Sequence, residues 1–375
     1  MKKKRVMIIE DSLVEREFIS YIINQDPRLE VVASYSNAED AISSLNQVSP
    51  DVITLDIRLP GMTGLEATLH IMSEKPTPIV VISANVESEE LNISMNALRA
   101  GALTVIEKPL GFANIHFESR ARQICDQIAL MSEVIVLRQR SFRDIGFTPS
   151  DNFNLDDLKT TRTLKSSNPL SKSPIYSPKK GQCFEALGVV ASTGGPSALV
   201  TIFEALPKNF ALPIFLVQHI TESFLISFAN WLEGLCPFSV LFGKDGEIPV
   251  KGNIYLAPED HHLEVRAGKI QLSKSNQVSL QRPSGTVLFN SMAEAYGQNS
   301  IGVLLTGMGD DGASGLLNIH KAGGYTIAED ESTAMVYGMP QVAAKLGAVR
   351  ELLPLPAIAP HIIDLCSSKQ GVIDE

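Results

Sequence analysis

The chain is short of the features that mark membrane, secreted or nucleic-acid-binding proteins. No apolar run in its 375 residues approaches the roughly 18–20 needed to cross a bilayer as a helix. The opening MKKKRVMIIEDS has the basic start of a signal peptide. Its apolar stretch VMII is stopped by Glu10 and Asp11, too early for a secretory segment. Cysteine is scarce. Cys125, Cys183, Cys236 and Cys366 lie far apart without CxxC spacing, so neither a zinc site nor a disulfide framework is indicated. Positive charge is in deficit, with 32 Lys and Arg against 42 Asp and Glu. At a net charge of -10 the molecule as a whole repels nucleic acid and anionic membrane. There is no internal repeat, helix-turn-helix pattern or basic recognition helix. A charged fraction of 20% beside 44% hydrophobic residues excludes wholesale disorder. The expectation is a soluble, cytoplasmic protein of two or three domains, at about 100–200 residues each.

What is present is strand-helix alternation, twice. RVMII, EVVASY, DVITLD, PIVVIS and LTVIEK read as Val- and Ile-rich strands, separated by amphipathic stretches such as LVEREFISYIINQ. Such alternation predicts a parallel sheet covered on both faces. Ser141 to Gly181 is rich in Ser, Thr, Pro, Lys and Asp without a sustained period, the pattern of a linker. From Phe184 the alternation resumes with ALGVVAS, PIFLVQH, NIYLAP, EVRAGKIQLS, SIGVLLT and YTIAED. A hairpin around Ala267-Gly268 predicts a second α/β sheet that is mixed, mostly parallel. The chain thus divides into 1–134, a linker 135–183, and 184–375.

In the first region Glu10 and Asp11 end the first strand, Asp56 the third, Ser83 the fourth and Lys108 the fifth. Open parallel sheets bind ligands outside the carboxyl ends of their strands. Each residue alone is an ordinary solvated strand end. Together they place carboxylates, a hydroxyl and an ammonium at one crevice mouth. Crowded carboxylates repel one another unless a hard cation lies among them, and Mg²⁺ prefers such oxygen ligands. A carboxylate held there can attack a phosphoryl group, whose oxygens Ser83 and Lys108 would bind.

IIEDS, LDIRLPGMTG, VVISA and IEKP make this region resemble a response-regulator receiver domain. The resemblance implies a flavodoxin-like fold, a five-stranded parallel sheet with five helices. It makes Asp56 the phosphoacceptor, with Glu10, Asp11, Asp56 and the backbone carbonyl of Arg58 holding Mg²⁺, and Ser83 and Lys108 as switch residues. It also implies a Lys108-Pro109 pair that is often cis. One departure is Val105, where the family has an aromatic residue whose rotamer reports phosphorylation; a β-branched side chain has little rotamer range.

In the second region VVASTGGPSAL reads as a strand, a glycine turn and a helix, with Ser192 at the strand end and Pro196 in the first helical turn. Backbone N–H groups at such a helix start stabilise an oxyanion. The stretch lacks GxGxxG spacing and the GK[ST] of a P-loop, so nucleotide binding fits poorly; it also lacks GxSxG. His219 follows PIFLVQ, and Asp310 and Asp311 lie in LLTGMGDDGASG, where either can simply cap the next helix. Convergence carries the reading: three strands end in Ser, His and Asp around one crevice. A serine hydroxyl becomes nucleophilic when an imidazole takes its proton, and a carboxylate orients that imidazole.

GVVASTGGPSAL, FLVQHI, GNIYLAPEDHHLEV, QRPSG, GVLLTGMGDDGASGL and AEDESTAMVYGMP resemble the catalytic domain of chemotaxis-type protein-glutamate methylesterases, the CheB family. That resemblance implies a doubly wound, mostly parallel α/β domain. It makes Ser192 the nucleophile, His219 the general base and Asp311 the orienting acid. Thr193 and Met308 become oxyanion or site-lining residues, and His262 a site-lining one. No cofactor is expected at the esterase site. Gly285 and Thr286 depart from the family pattern and are expected to alter substrate-side contacts without touching the triad.

The two resemblances together imply a phosphorylation-activated esterase. It would demethylate glutamate methyl esters, and also deamidate glutamines, on methyl-accepting chemoreceptors, with a histidine kinase as phosphodonor, no nucleic acid and no membrane insertion. The competing readings are a receiver-gated esterase or amidase on another modified protein, and a non-catalytic adaptor.

Overall fold

The computed structural model describes residues 2–83, 88–108, 117–134, 136 and 183–367. The first region runs β1 (Lys4–Ile9), α1 (Leu13–Gln25), β2 (Leu29–Tyr35), α2 (Ala38–Val48) and β3 (Val52–Leu55). It continues with α3 (Gly64–Glu74), β4 (Ile79–Ser83), α4 (Ser88–Arg99), β5 (Thr104–Glu107) and α5 (Phe117–Met131). Its five strands are parallel in the order β2-β1-β3-β4-β5. Helices cover both faces, so β3 and β4 are buried along their whole length, which is why they read as unbroken apolar runs. Local signals set the helix starts: Asn37 caps α2, and Thr63 with Glu66 forms a capping box on α3. Val105 is buried in the core of this region. The Lys108-Pro109 bond and the Ser141–Gly181 stretch lie outside the described residues.

The second region begins with β6 (Ala186–Ala191), α6 (Gly195–Ala205), β7 (Ile214–Gln218), α7 (Glu222–Leu235), β8 (Ser239–Phe242) and β9 (Asn253–Leu256). β10 (His262–Arg266), β11 (Lys269–Ser273), α8 (Gly285–Tyr296), β12 (Ser300–Leu304) and α9 (Ala313–Lys321) follow. β13 (Tyr325–Glu329), α10 (Met339–Lys345), β14 (Glu351–Leu353) and α11 (Leu355–Ser367) complete it. The main sheet has seven strands in the order β14-β13-β12-β6-β7-β9-β8. Every pairing in it is parallel, which corrects the expected mixed sheet. The hairpin exists but forms its own two-stranded sheet packed on α8, turned by Ala267 and Gly268, both at positive φ. Two edge strands had no apolar-run signal: β8 is largely exposed and β14 is three residues long.

The regions meet through α4, which packs against α6 and α7. Trp231 Nε1 donates to Asn96 Oδ1 at 3.0 Å, and Ser197 Oγ donates to the Leu98 carbonyl at 2.7 Å. Arg99 and Glu204 form an ion pair at 3.5 Å. No helix among the described residues is long and apolar enough to cross a membrane.

Candidate active site

β6 lies between β7 and β12, so the residues leaving these three strand ends share one edge of the sheet. The ends are stitched together by backbone: His219 N–H donates to the Ala191 carbonyl at 3.1 Å, and Ser192 N–H to the Thr306 carbonyl at 3.0 Å. After Ser192 the chain reverses at Gly194, whose φ of 78° suits glycine, and enters α6 with Pro196 in its first turn. Ser192 and Thr193 are half-buried, and Met308 is exposed at the rim.

The structure pairs His219 with Asp311: Nε2 lies 2.9 Å from Asp311 Oδ2. With the proton on Nε2 the ring donates to the carboxylate, and Nδ1 is the nitrogen left to accept the serine proton. No hydrogen bond joins Ser192 Oγ to His219 among the described residues, a looseness common before substrate tightens a site. Asp311 does not cap the following helix; Gly312 holds the N-cap position of α9. Its buried carboxylate instead accepts from Ser284 Oγ at 2.6 Å, Gly285 N–H at 2.6 Å and Thr286 N–H at 3.1 Å, besides His219. Burial by itself would raise this carboxyl; the His219 hydrogen bond and charge, then Ser284 and Thr286, hold it down to about 2.

Two expectations need correction here. Gly285 and Thr286 act on the triad directly, through their N–H groups on Asp311, because α8 begins at the carboxylate and points its free amides at it. His262 lines no surface: it is fully buried, its Nδ1 accepting the Ser284 N–H at 3.2 Å and its Nε2 facing the Asn276 carbonyl at 3.2 Å. It braces Ser284, which in turn holds Asp311. Sequence reading missed Ser284 as a site residue, although a serine before the apolar run GTVLF is a helix-start signal. It also missed Gln218, whose amide Nε2 donates to the carbonyls of Ser192 and His219, both at 2.9 Å. Beside His219 opens a cleft of 290 Å³, walled by Ile220, Leu225 and Pro283 and rimmed by Glu222, Glu259 and Arg282.

At the other sheet, Glu10, Asp11 and Asp56 bring carboxylate oxygens within 4.8 Å of one another. Lys108 Nζ reaches Asp56 Oδ2 at 2.9 Å and Glu10 Oε2 at 3.0 Å, and also pairs with Glu15. Burial first, and then the Asp56 charge, push Glu10 up to about 8. Arg58 follows in the turn, its N–H on Asp56 Oδ1 at 3.4 Å. Ser83 is buried at the end of β4, its carbonyl accepting the Lys108 N–H at 2.9 Å. This cluster is the carboxylate set that an oxygen-preferring divalent cation fits.

Comparison with known proteins finds a relative for each region of the chain. Residues 187–362 match the family model described as CheB methylesterase, and residues 6–118 the one described as response regulator receiver domain. A protein-glutamate methylesterase/protein-glutamine glutaminase of Paramagnetospirillum magneticum is 51% identical over 97% of this chain and 98% of its own. One from Myxococcus xanthus is 38% identical over 98% of each. Among solved structures, the CheB methylesterase catalytic domain of Thermotoga maritima is 37% identical, covering 48% of this chain and 98% of its own at a TM-score of 0.47.

Proposed function

The chain belongs to the CheB family of receiver-linked protein-glutamate methylesterases/protein-glutamine glutaminases, and from that premise we propose which of its residues do the chemistry. Ser192 Oγ attacks the ester carbonyl of a glutamyl methyl ester while His219 Nδ1 takes its proton. His219 returns the proton to the departing methoxide, releasing methanol and leaving an acyl-enzyme. Water, deprotonated by the same imidazole, cleaves the acyl-enzyme to glutamate and restores Ser192. A glutamine side chain follows the same course with ammonia leaving. Asp311 fixes the ring and stabilises its cationic form. Thr193 and Met308 border the place where the oxyanion develops, and the start of α6 faces it. The observation that carries this reading is the His219–Asp311 pair, with the carboxylate held by three further donors, at the strand end next to Ser192.

The substrates are methyl-accepting chemoreceptors, and the work is adaptation in chemotaxis, in the cytoplasm. Control lies in the receiver. Asp56 attacks the phosphorus of a histidine-kinase phosphohistidine, breaking the P–N bond and forming an acyl phosphate, with Ser83 and Lys108 contacting the new oxygens. Glu10, Asp11, Asp56 and the Arg58 carbonyl would hold Mg²⁺, which when bound would screen the charge of acids and phosphoryl group. α4, the helix next in the chain after β4, packs on α6, the helix entered directly from Ser192, and phosphorylation would act on the esterase by changing these contacts.

The test is methanol release from a methyl-esterified chemoreceptor signalling domain, with and without a small phosphodonor plus Mg²⁺. Ser192→Ala should lower turnover about 10⁴–10⁶-fold; turnover within tenfold of wild type would overturn the nucleophile assignment. Asp56→Ala should abolish stimulation by the phosphodonor, and equal stimulation of variant and wild type would remove Asp56 as acceptor.

A further inference from the structure

Behind the nucleophile lies a buried acid that the reaction does not use. Glu329 ends β13 and is 1% exposed. Its Oε2 accepts the Thr306 N–H at 2.9 Å, while its Oε1, also buried, makes no hydrogen bond among the described residues. Thr306 is a junction. Its carbonyl accepts the Ser192 N–H at 3.0 Å. Its hydroxyl donates to the Thr193 carbonyl at 2.9 Å and accepts the Val336 N–H at 2.9 Å. The next residue, Gly307, is pressed so close that a Cβ there would lie 2.7 Å from Ser192 Cβ. The turn from Thr306 to Met308 is therefore the floor against which Ser192 and Thr193 are set, and Glu329 is its support.

We propose that Glu329 is a positioning residue for acyl transfer, which in its neutral form holds the Thr306–Met308 turn against Ser192 and on ionising loosens it. The proposal rests on the assignment of Ser192 as nucleophile. The physical reason is that the Thr306 N–H is its one hydrogen bond among the described residues, the nearby Thr333 hydroxyl being turned to the Asp330 carbonyl: a buried carboxylate with an oxygen left unpaired draws in water or moves its neighbours. Burial pushes the Glu329 carboxyl up to about 7, the Asp330 charge adds to this, and Thr306 and Thr333 offset it only in part. The other titratable and charged groups on the elements packed on β13 are Glu331 in the following turn, Asp310 beyond Met308, Arg350 just before β14 and Glu351 opening it, His320 and Lys321 on α9, Lys345 on α10, and His361 and Asp364 on α11. Arg350 lies at the far end of β13, its guanidinium 5.0 Å from the centre of the Tyr325 ring.

The experiment measures kcat and KM for methanol release by the full chain from about pH 5.5 to about pH 9. Wild-type kcat should fall about tenfold as pH rises past neutrality, with KM within about twofold. Glu329→Gln, isosteric and unable to ionise, should lack that fall. Glu329→Leu, which removes the acceptor for Thr306, should lower kcat about 10–100-fold at every pH with KM little changed. A protonated-carboxyl infrared band, present at about pH 6 and absent from Glu329→Gln, should vanish as pH rises through about 7. A Glu329→Gln profile that keeps the wild-type fall would overturn the proposal, as would Glu329→Leu kcat within twofold of wild type. Should the leucine variant not fold, the glutamine profile and the infrared band decide. The band is also read in Ser192→Ala, so a failed nucleophile assignment and a failed role for Glu329 are told apart.

Discussion

Two buried aspartates stand at the carboxyl ends of two parallel sheets in this chain, and their surroundings differ in kind. Asp311 accepts from His219, Ser284, Gly285 and Thr286, donors fixed by two separate segments, the end of β7 and the start of α8, and is held down to about 2. Asp56 has Lys108 and, at the longer distance of 3.4 Å, the Arg58 N–H. It faces Glu10, whose carboxyl is pushed up to about 8, the Asp56 charge adding to the effect of burial. A site that must present the same geometry at every turnover surrounds its acid with preset donors. The acid at the other site has fewer preset donors and shares the Lys108 ammonium with Glu10 and Glu15, so that an added cation or anion there alters the balance of forces. The same strand-end architecture supports either, depending on how many amides and hydroxyls converge on the carboxylate.

The contrast can be broken by emptying the donor set. Asp311→Asn should lower kcat about 10³–10⁴-fold, because an amide cannot stabilise the cationic imidazole and can hold the ring in the wrong tautomer; steady-state methanol release reads it. A finer cut is Ser284→Ala, which leaves Asp311 charged but removes its 2.6 Å hydroxyl donor. About a tenfold loss in kcat is expected, with a small change in KM. The smallest effect concerns stability in acid. The folded value of Asp311, about 2, lies below its ordinary 3.8. Its contribution is therefore fully present above about pH 4 and lost as pH falls through about 2. Acid unfolding followed by circular dichroism should be shallower in Asp311→Asn over that range.

Much of both sites was legible because strand ends are legible. Apolar runs mark the strands, and the polar residues just after each run name the groups at the crevice: Asp56, Ser83 and Ser192 come first after theirs, and His219 second, behind Gln218. The layer beneath was not legible, since hydrogen bonding from the far side of a loop carries no periodicity. His262 read as a site-lining histidine because it follows a turn, whereas its position in β10 against α8 seals it from water. Gly285 and Thr286 stood out only as departures from a pattern, with nothing in their types to say that their backbone amides would meet Asp311. Glu329 and Thr306 looked like ordinary strand endings. The Trp231–Asn96 bond joins two regions 135 residues apart, and no local rule pairs them.

The placing of β6 in the middle of its sheet has a consequence for how the protein is made. Ser192 N–H is held by Thr306, and Asp311 lies more than a hundred residues after the serine. A chain leaving the ribosome from its N-terminus exposes β6 and β7 well before β12 exists to pair with the other side of β6. Ser192 thus has His219 as a neighbour early, but gains Asp311 and the Thr306–Met308 turn beneath it only after more than a hundred further residues have been made. On the proposed assignment, a fragment that stops before β12 carries the serine without Asp311 and without the turn that supports it.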